Sequence, residues 1–212
     1  MIYYIKKHYS IVGSKFAVYS LVIRRRLPGR YIMFILTDPF FWAFVGMFGL
    51  LVGIALVSGT KMGKNAAFGV ATIMVCDLSR IVLVLPFCSQ PRFEIGIWNW
   101  IIGGIFLAAA FVFGIPAMSI NWRTAPDSKM VLKTDGIYGI VRNPIYLTDL
   151  LFSLGFAVMF GSIIGVALIP IWWIALLCIV LVEEKSLESA LGQPYLDYKK
   201  LVKGRIIPGL PI

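Results

Sequence analysis

Four long apolar runs decide what this chain of 212 residues can fold into. A helix that crosses a bilayer needs about 20 mostly apolar residues, and such runs occur at 39–58, 66–88 and 98–120. A fourth run, 144–182, is nearly twice that length, and Gly-Ser-Ile-Ile-Gly interrupts it at 161–165, which predicts a tight helical hairpin. The sequence therefore predicts an all-α integral membrane protein with about five transmembrane helices.

The composition agrees with this class. Hydrophobic residues make up 59% of the chain and charged residues 14%, which lies outside the usual range of soluble domains. The formal net charge is +10, which in a soluble protein would suggest a nucleic-acid partner. In a membrane protein, basic residues flank the spans and face anionic headgroups. We therefore expect membrane lipids as partners, and no nucleic acid.

The chain is predicted to consist of a basic N-terminal arm, 1–38, and one membrane domain, 39–212. Within the arm, the apolar segment 9–23 is short, contains Lys15 and runs into three arginines at 24–26. An interfacial helix that lies on the membrane is the favoured interpretation of this segment.

The cysteines and the histidine argue against several kinds of site. Cys76, Cys88 and Cys178 all lie in apolar runs, so we expect buried structural cysteines and no disulfide framework. The single histidine, His8, lies in the N-terminal arm. We therefore expect neither a zinc or other metal site nor a Ser-His catalytic triad.

Two charged residues lie inside the second apolar run. Asp77 and Arg80 are spaced i, i+3, which places them side by side on one helix face. Charges at this depth are costly and are usually paired. A structural ion pair and a substrate contact both remain open for them. In the first run, Gly49 and Gly53 form a small-xxx-small pair that predicts close helix packing.

The polar sequence Arg142-Asn143-Pro144 begins the fourth apolar run. Asn143 is a favourable N-cap and Pro144 a favourable first helical residue, while Arg142 suits a position at the headgroups. These residues could therefore serve as a helix start and nothing else.

Acidic residues end the same run. Glu183 and Glu184 stand where the last apolar helix is predicted to leave the membrane, and that helix is predicted to end at Gly192. Because a hairpin returns the chain to the side it left, Arg142 must lie near these carboxylates. The hairpin also brings four tyrosines to the same place, namely Tyr138, Tyr146, Tyr195 and Tyr198.

Four short motifs follow one another in this region: Arg-Asn-Pro-Ile-Tyr at 142–146, Glu-Glu-Lys-Ser-Leu at 183–187, Gly-Gln-Pro-Tyr-Leu-Asp-Tyr at 192–198 and Arg-Ile-Ile-Pro at 205–208. With them, about residues 130–210 resemble the isoprenylcysteine carboxyl methyltransferase and phospholipid methyltransferase superfamily. Its usual pattern is Arg-His-Pro-x-Tyr, Glu-Glu-x-x-Leu, Gly-x-x-Tyr-x-x-Tyr and Arg-x-x-Pro. The first 120 residues match it only in being membrane spans.

The resemblance implies binding of S-adenosylmethionine without a dinucleotide-binding domain. Arg142, Glu184 and Arg205 are the expected catalytic residues. Arg142 would hold the methionine carboxylate, a glutamate would accept from the ribose hydroxyls or the amino group, and tyrosine faces would favour the sulfonium. Arg205 would orient an anionic acceptor, although a contact with headgroups suits it equally. The expected cofactor-binding residues are Gly136, Tyr138, Val141, Arg142, Asn143, Pro144, Tyr146, Glu183, Glu184, Tyr195 and Tyr198.

Two departures from the pattern bear on the acceptor. Asn143 replaces the usual histidine and cannot be protonated, and Thr148 replaces a frequent glycine. Both weaken a specific expectation of prenylcysteine. The predicted function is methyl transfer to a lipophilic acceptor, such as a prenylcysteine carboxylate or a phospholipid amine, at the membrane–cytosol interface.

Two other interpretations stay open. One is an NADPH-dependent membrane reductase of the sterol-reductase type, whose C-terminal region is similar. The other is a transporter or assembly factor that is not an enzyme. The distribution of lysine and arginine weakly favours a cytoplasmic C-terminus, and with it a cytoplasmic active site in a multi-pass protein.

Overall fold

The computed structural model describes residues 28–57, 66–121 and 132–211, which form seven α-helices and no β-strand. The chain divides into two units, Met1–Thr37 and Asp38–Ile212. In the first unit the described part is helix α1, Pro28–Leu36, whose last turn is closed by the Thr37 hydroxyl donating to the Met33 carbonyl at 3.0 Å. The predicted interfacial segment 9–23 lies outside the described residues.

The second unit holds six of the α-helices and a short 3-10 turn. The helices are α2 Pro39–Val57, α3 Ala66–Val84, α4 Ile97–Asn121, α5 Pro144–Met159, α6 Ile163–Leu191 and α7 Gln193–Leu201, and the 3-10 turn is Gly136–Gly139.

Local sequence signals explain several of these boundaries. The Asp38 carboxylate accepts from the Phe40 backbone N–H at 2.9 Å and caps α2. Helix α3 ends at Val84, four residues before the predicted end, because Pro86 disfavours a helical conformation at the residue that precedes it. Helix α6 ends at Leu191, and Gly192 follows with φ of 62°, which confirms the predicted end of this helix.

The predicted helical hairpin is confirmed as α5 and α6. The turn between them contains Gly161, whose φ is 61° and whose site has no room for a side chain, since an added Cβ would lie 2.1 Å from the Phe93 carbonyl oxygen. The Arg92 guanidinium donates to the carbonyls of Val84 and Phe160, at 2.9 and 2.7 Å. Arg92 thus ties the ends of α3 and α5 together beside the turn.

Close approaches between helices occur at glycines. Helix α2 runs along α3, and a Cβ added at Gly49 would lie 3.2 Å from the Cys76 Cβ, so the predicted close packing at Gly49 is confirmed. A Cβ at Gly53 would make only an ordinary contact at 3.8 Å with Ile179. Helix α4 has its most extensive contact with α5, where Gly103 faces the Gly155 carbonyl.

Two described helices are long and apolar enough to cross a bilayer, at Ile97–Met118 and Ile163–Leu191, and two shorter apolar helices accompany them at Pro39–Gly53 and Pro144–Met159. The count of five spans stays a prediction. Large apolar side chains such as Phe44, Phe48, Ile105, Phe111 and Ile115 point outward from α2 and α4, as expected of a surface that faces lipid acyl chains.

The cysteine prediction holds in part. Cys76 and Cys88 are buried, but Cys178 is exposed. Apolar runs that form long single helices bury only the face turned toward their neighbours, and Cys178 lies on the exposed side of α6 whereas Ile179 and Val180 are buried.

Candidate active site

The candidate site begins where the segment after α7 pairs with the entrance of α5. The Arg142 backbone N–H donates to the Gly204 carbonyl at 2.9 Å, and the Asn143 N–H donates to the Arg205 carbonyl at 3.0 Å. We call residues 202–206 the C-terminal strap. These two bonds hold the strap across the start of the hairpin.

Arg142 is buried beneath the strap and its donors face protein groups. Its Nε donates to Glu184 Oε1 at 2.9 Å and Nη2 to Oε2 at 3.4 Å, while Nη1 donates to the Val202 and Lys203 carbonyls at 2.6 and 3.2 Å. The side chains of Arg142 and Glu184 are 5% and 3% exposed. The structure thus brings Arg142 to Glu184, as the hairpin argument predicted, and the Nε and Nη2 groups of the guanidinium both donate to that carboxylate.

Glu184 is the centre of a cluster of cations. Besides Arg142, Arg205 Nε donates to Glu184 Oε2 at 3.2 Å, and Lys199 Nζ lies 3.7 Å from the same oxygen. Asn143 Nδ2 donates to Glu184 Oε1 at 3.3 Å. We call Arg142, Glu184, Lys199 and Arg205 the Glu184 cluster. Lys199 also pairs with Glu188, so the three cations face two carboxylates and one excess positive charge remains, which suits an anionic ligand.

Arg205 is the member of this cluster with unused donors. Among the contacts of the described residues, its guanidinium makes one bond, from Nε, and its side chain is 17% exposed. Its Nη groups are therefore available to a bound molecule.

Asn143 departs from its predicted role at the helix start. It occupies the N-cap position of α5 and Pro144 the first helical position, but the Asn143 side chain does not cap the helix. Its amide donates instead to Glu184 and to the Arg205 carbonyl, the latter at 3.1 Å. The amide group thus links the strap to the Glu184 cluster. Both partners are distant in sequence, so a capping rule based on neighbouring residues does not predict these contacts.

Glu183 has surroundings different from those of Glu184. It is half-buried, and its neighbour is Tyr146 of α5. The sequence placed both carboxylates near Arg142 without separating them. The structure assigns Glu184 to the ion cluster, whereas Glu183 lies outside it, beside Tyr146.

The other predicted tyrosines belong to a packed cluster. Tyr195 and Tyr198 are buried with Val202, and the Tyr198 hydroxyl donates to the Tyr138 carbonyl at 2.7 Å. Burial raises the pKa of the Tyr198 phenol to about 12, so this donor stays protonated at neutral pH. Burial also raises the pKa of Tyr138. These rings fasten α7 to the 3-10 turn, and their contact with a cofactor stays a prediction.

The remaining predicted residues are backbone and packing positions. Val141 and Pro144 are fully or almost fully buried in the layer beneath Arg142. Gly136 begins the 3-10 turn with φ of 58°, a conformation that favours glycine. They shape the site without offering a polar side chain to a ligand.

A second ion network was only half predicted. Arg80 pairs with Asp77, as the spacing suggested, and it also donates two bonds to Asp149 of α5, at 2.6 and 2.5 Å. Its guanidinium lies 5.8 Å from the centre of the Trp172 ring. The available signal was a lone aspartate inside the fourth apolar run, since a charge in such a run usually has a partner.

Comparison with known proteins gives one match. Residues 74–194 match the family described as phospholipid methyltransferase. No curated protein and no solved structure matches the chain. The matched region starts well before the C-terminal half that the motifs indicated, and it includes Arg80 and Asp149. It ends before Tyr195, Tyr198 and Arg205, which lie in the segment that completes the Glu184 cluster.

Proposed function

The chain belongs to the phospholipid methyltransferase family, and from that premise we propose that it transfers a methyl group from S-adenosylmethionine to a lipophilic acceptor at the membrane–cytosol interface. The family indicates a methyltransferase of lipid-like substrates. The cofactor, the acceptor and the residue roles given below are our proposal.

The observation that carries the proposal is the Glu184 cluster. It joins α5, α6, α7 and the strap at the end of the hairpin, and its net charge is positive. S-adenosylmethionine carries a carboxylate, an ammonium, a sulfonium and ribose hydroxyls. The Nη groups of Arg205 fit the carboxylate, and the half-buried Glu183 beside Tyr146 fits a cationic or hydroxyl group. The residues present therefore suit this cofactor.

We assign Arg142 a positioning role in this site. Its donors are engaged with Glu184 and with the carbonyls of Val202 and Lys203, so in this arrangement they do not face a bound carboxylate. Arg142 holds the strap, and the strap carries Arg205 to Glu184. We propose that Arg205 contacts the anionic group of the cofactor or of the acceptor, and that Glu184 keeps its guanidinium oriented.

The bound cofactor would supply an activated methyl group for in-line displacement. Such a reaction depends on alignment and on exclusion of water more than on acid–base chemistry. The chain offers both: the Glu184 cluster is fixed by contacts from four elements, and the apolar helices α5 and α6 form the membrane side of the site. A cofactor would arrive from the aqueous side and a lipophilic acceptor from the bilayer.

The arrangement requires the C-terminus to face the cytosol, where a soluble cofactor is found. We propose five spans, formed by α2 to α6, with α7 and the strap at the cytoplasmic surface. Labelling of a cysteine introduced at Lys203 tests this orientation. A membrane-impermeant reagent should label it only after the cells are opened, and labelling in intact cells would contradict the topology.

Thermal-shift measurements on the detergent-purified chain test the activity class. S-adenosylhomocysteine should raise the melting temperature, because a ligand that binds the folded state stabilises it, and NADPH should leave it unchanged. Stabilisation by NADPH alone would favour the reductase. A melting temperature that neither ligand raises would contradict the proposed cofactor site. Incubation with radiolabelled S-adenosylmethionine and a total lipid extract would then identify the acceptor.

A further inference from the structure

Helix α6 is longer than the apolar run that it contains. It has no charged residue from Ile163 to Val182, and a run of this length crosses the hydrocarbon of a bilayer. Glu183 is the first charged residue, and the helix continues to Leu191. At about 1.5 Å per residue, the last part of α6 therefore extends roughly 13 Å beyond the apolar layer.

Helix α7 returns along this extension toward the membrane. Its buried tyrosines pack with leucines of the last part of α6. Near the end of α7, Lys199 Nζ lies 3.7 Å from Glu184 Oε2, and the Val202 carbonyl accepts from Arg142, the partner of Glu184. The end of α7 thus lies where α6 leaves the apolar layer, which is the level of the lipid headgroups.

Leu201, the last residue of α7, is left uncovered at this level. It is 83% exposed, the largest value among the big apolar residues in the part of the chain that the structure describes. Other strongly exposed apolar residues, such as Phe44 and Ile105, lie on the apolar helices α2 and α4, whose surfaces suit acyl chains. Helix α7 has nine residues, too few to cross a bilayer, so Leu201 needs a different explanation.

Two exposed lysines flank Leu201 in the sequence. Lys200 pairs with the exposed Asp197 at 2.9 Å, and Lys203 forms no ion pair with another described residue. An exposed ion pair contributes little to stability, so Lys200 can exchange Asp197 for another anion at little cost. An apolar side chain between two cations suits the boundary where lipid phosphates meet acyl chains.

We propose that Lys200, Leu201 and Lys203 form a docking element for anionic phospholipid of the adjoining leaflet. Leu201 enters the acyl region, and the two ammonium groups bind phosphate oxygens. The ligand of this element is a lipid of the surrounding membrane and not the methyl acceptor. The element therefore goes beyond the proposed function and does not require the methyl-transfer reaction.

The docking element is continuous with the C-terminal strap. The strap begins at Val202, directly after Leu201, and the Lys203 carbonyl accepts from Arg142 at 3.2 Å. A lipid bound to the Lys203 side chain thus holds a residue whose backbone is already fixed to the Glu184 cluster. Anionic lipid should therefore reduce the opening of the strap, because a ligand that binds the closed arrangement stabilises it.

Fluorescence quenching tests the position of Leu201 in the full chain, in nanodiscs of phosphatidylcholine and phosphatidylglycerol. Leu201→Cys carries a polarity-sensitive dye, and Cys178→Ser removes the exposed cysteine. Lipids brominated near the glycerol should quench this dye strongly. They should quench it weakly in the matched control Leu196→Cys, which lies five residues earlier on α7, farther from the membrane. Equal quenching at both positions, or quenching at neither, as expected if water or a protein partner covers Leu201, would overturn the proposal.

Hydrogen exchange tests the lipid preference without any cofactor. The backbone N–H groups of Val202 and Arg205 should exchange about five- to twentyfold more slowly when phosphatidylglycerol is added to phosphatidylcholine nanodiscs. One basic residue near an anionic surface contributes about 1 kcal/mol, which is roughly fivefold in an equilibrium constant. Equal exchange in both membranes would overturn the proposal. Slowing of the same size by soluble glycerol phosphate in phosphatidylcholine nanodiscs would contradict a lipid ligand.

Variants assign this effect to the lysines. Lys203→Gln should reduce the effect of phosphatidylglycerol about fivefold, and Lys203→Arg, which keeps the charge, should preserve it. An unchanged effect in Lys203→Gln would contradict the assignment. The two proposals can also fail separately. If phosphatidylglycerol slows exchange but S-adenosylhomocysteine does not bind, the proposed function fails and the docking element stands, and the opposite pair of results rejects the docking element alone.

Discussion

Arg142 and Glu184 form a buried ion pair across 42 residues of sequence, with Nε and Oε1 2.9 Å apart. The pair joins the residue just before the N-cap of α5 to the C-terminal part of α6, and Arg142 also donates to two carbonyls of the strap. The guanidinium therefore holds the C-terminal segment in place together with the backbone bonds to Gly204 and Arg205.

Arg142→Lys should loosen the strap. A lysine keeps the charge but cannot reproduce the planar fork that reaches Glu184 and the Val202 and Lys203 carbonyls together. The free energy that holds the strap in its folded position should fall by about 1.5–3 kcal/mol, the range for a hydrogen bond to a charged group. Hydrogen exchange should accelerate at the backbone N–H of Val202 and Arg205 while α4 keeps its protection. Lys200→Arg, at an exposed position, is the control, and unchanged protection of the strap in Arg142→Lys would contradict the positioning role.

Arg205→Gln should weaken the binding of S-adenosylhomocysteine without lowering the stability of the fold. Arg205 gives one hydrogen bond, of 3.2 Å, to Glu184, and that carboxylate keeps Arg142 and Asn143, so the fold should survive. The variant loses the Nη donors that we assign to an anionic group. Its affinity for S-adenosylhomocysteine should fall about ten- to a hundredfold, as measured by calorimetry at matched melting temperatures. An affinity equal to that of the wild type would contradict the assignment of Arg205 to the binding site.

Asp149→Asn should cost more stability than Asp77→Asn. Asp149 accepts two bonds from Arg80 and is 20% exposed, whereas Asp77 is 46% exposed and pairs within its own helix. Because Asp149 accepts two bonds from Arg80 and Asp77 accepts one, Asp149→Asn removes more of the charge compensation of the buried guanidinium. The order of melting temperatures in detergent should be wild type, Asp77→Asn, Asp149→Asn. The reverse order of the two variants would show that Asp149 does not anchor Arg80.

Gly103→Ala and Gly104→Ala form a matched pair on adjacent residues of α4. A Cβ at Gly103 would lie 2.8 Å from the Gly155 carbonyl oxygen, whereas a Cβ at Gly104 meets nothing within 4 Å. Gly103→Ala should destabilise the chain by about 1–3 kcal/mol through overpacking. Gly104→Ala should be neutral or stabilising by up to about 1 kcal/mol, because alanine favours a helix. Thermal melts of both variants check this, and equal effects would contradict the close contact of α4 with α5.

The local features of this protein followed from its sequence. Apolar run lengths predicted α2 to α5 and the start of α6 to within a few residues, Gly161 and its neighbours predicted the hairpin turn, and Gly192 predicted the end of α6; α7 was not predicted. Each of these depends on a short stretch of chain, where hydrophobicity and backbone sterics act on neighbouring residues. The proximity of Arg142 to the two glutamates followed as well, because a hairpin must return to the side it left.

The tertiary structure alone decided which groups meet. In the fold, Arg142 pairs with Glu184 and not with Glu183. The Asn143 amide donates to Glu184 and does not cap the helix, and Arg205 donates to the same carboxylate. The fold also gave Arg80 its partner Asp149, which lies 69 residues away. Such pairs depend on how helices rotate and pack against one another, and one residue more or less along a helix turns a side chain by about 100°. For that reason the sequence predicted where the charged groups gather, and the fold determined which of them hold the strap and which remain open to a ligand.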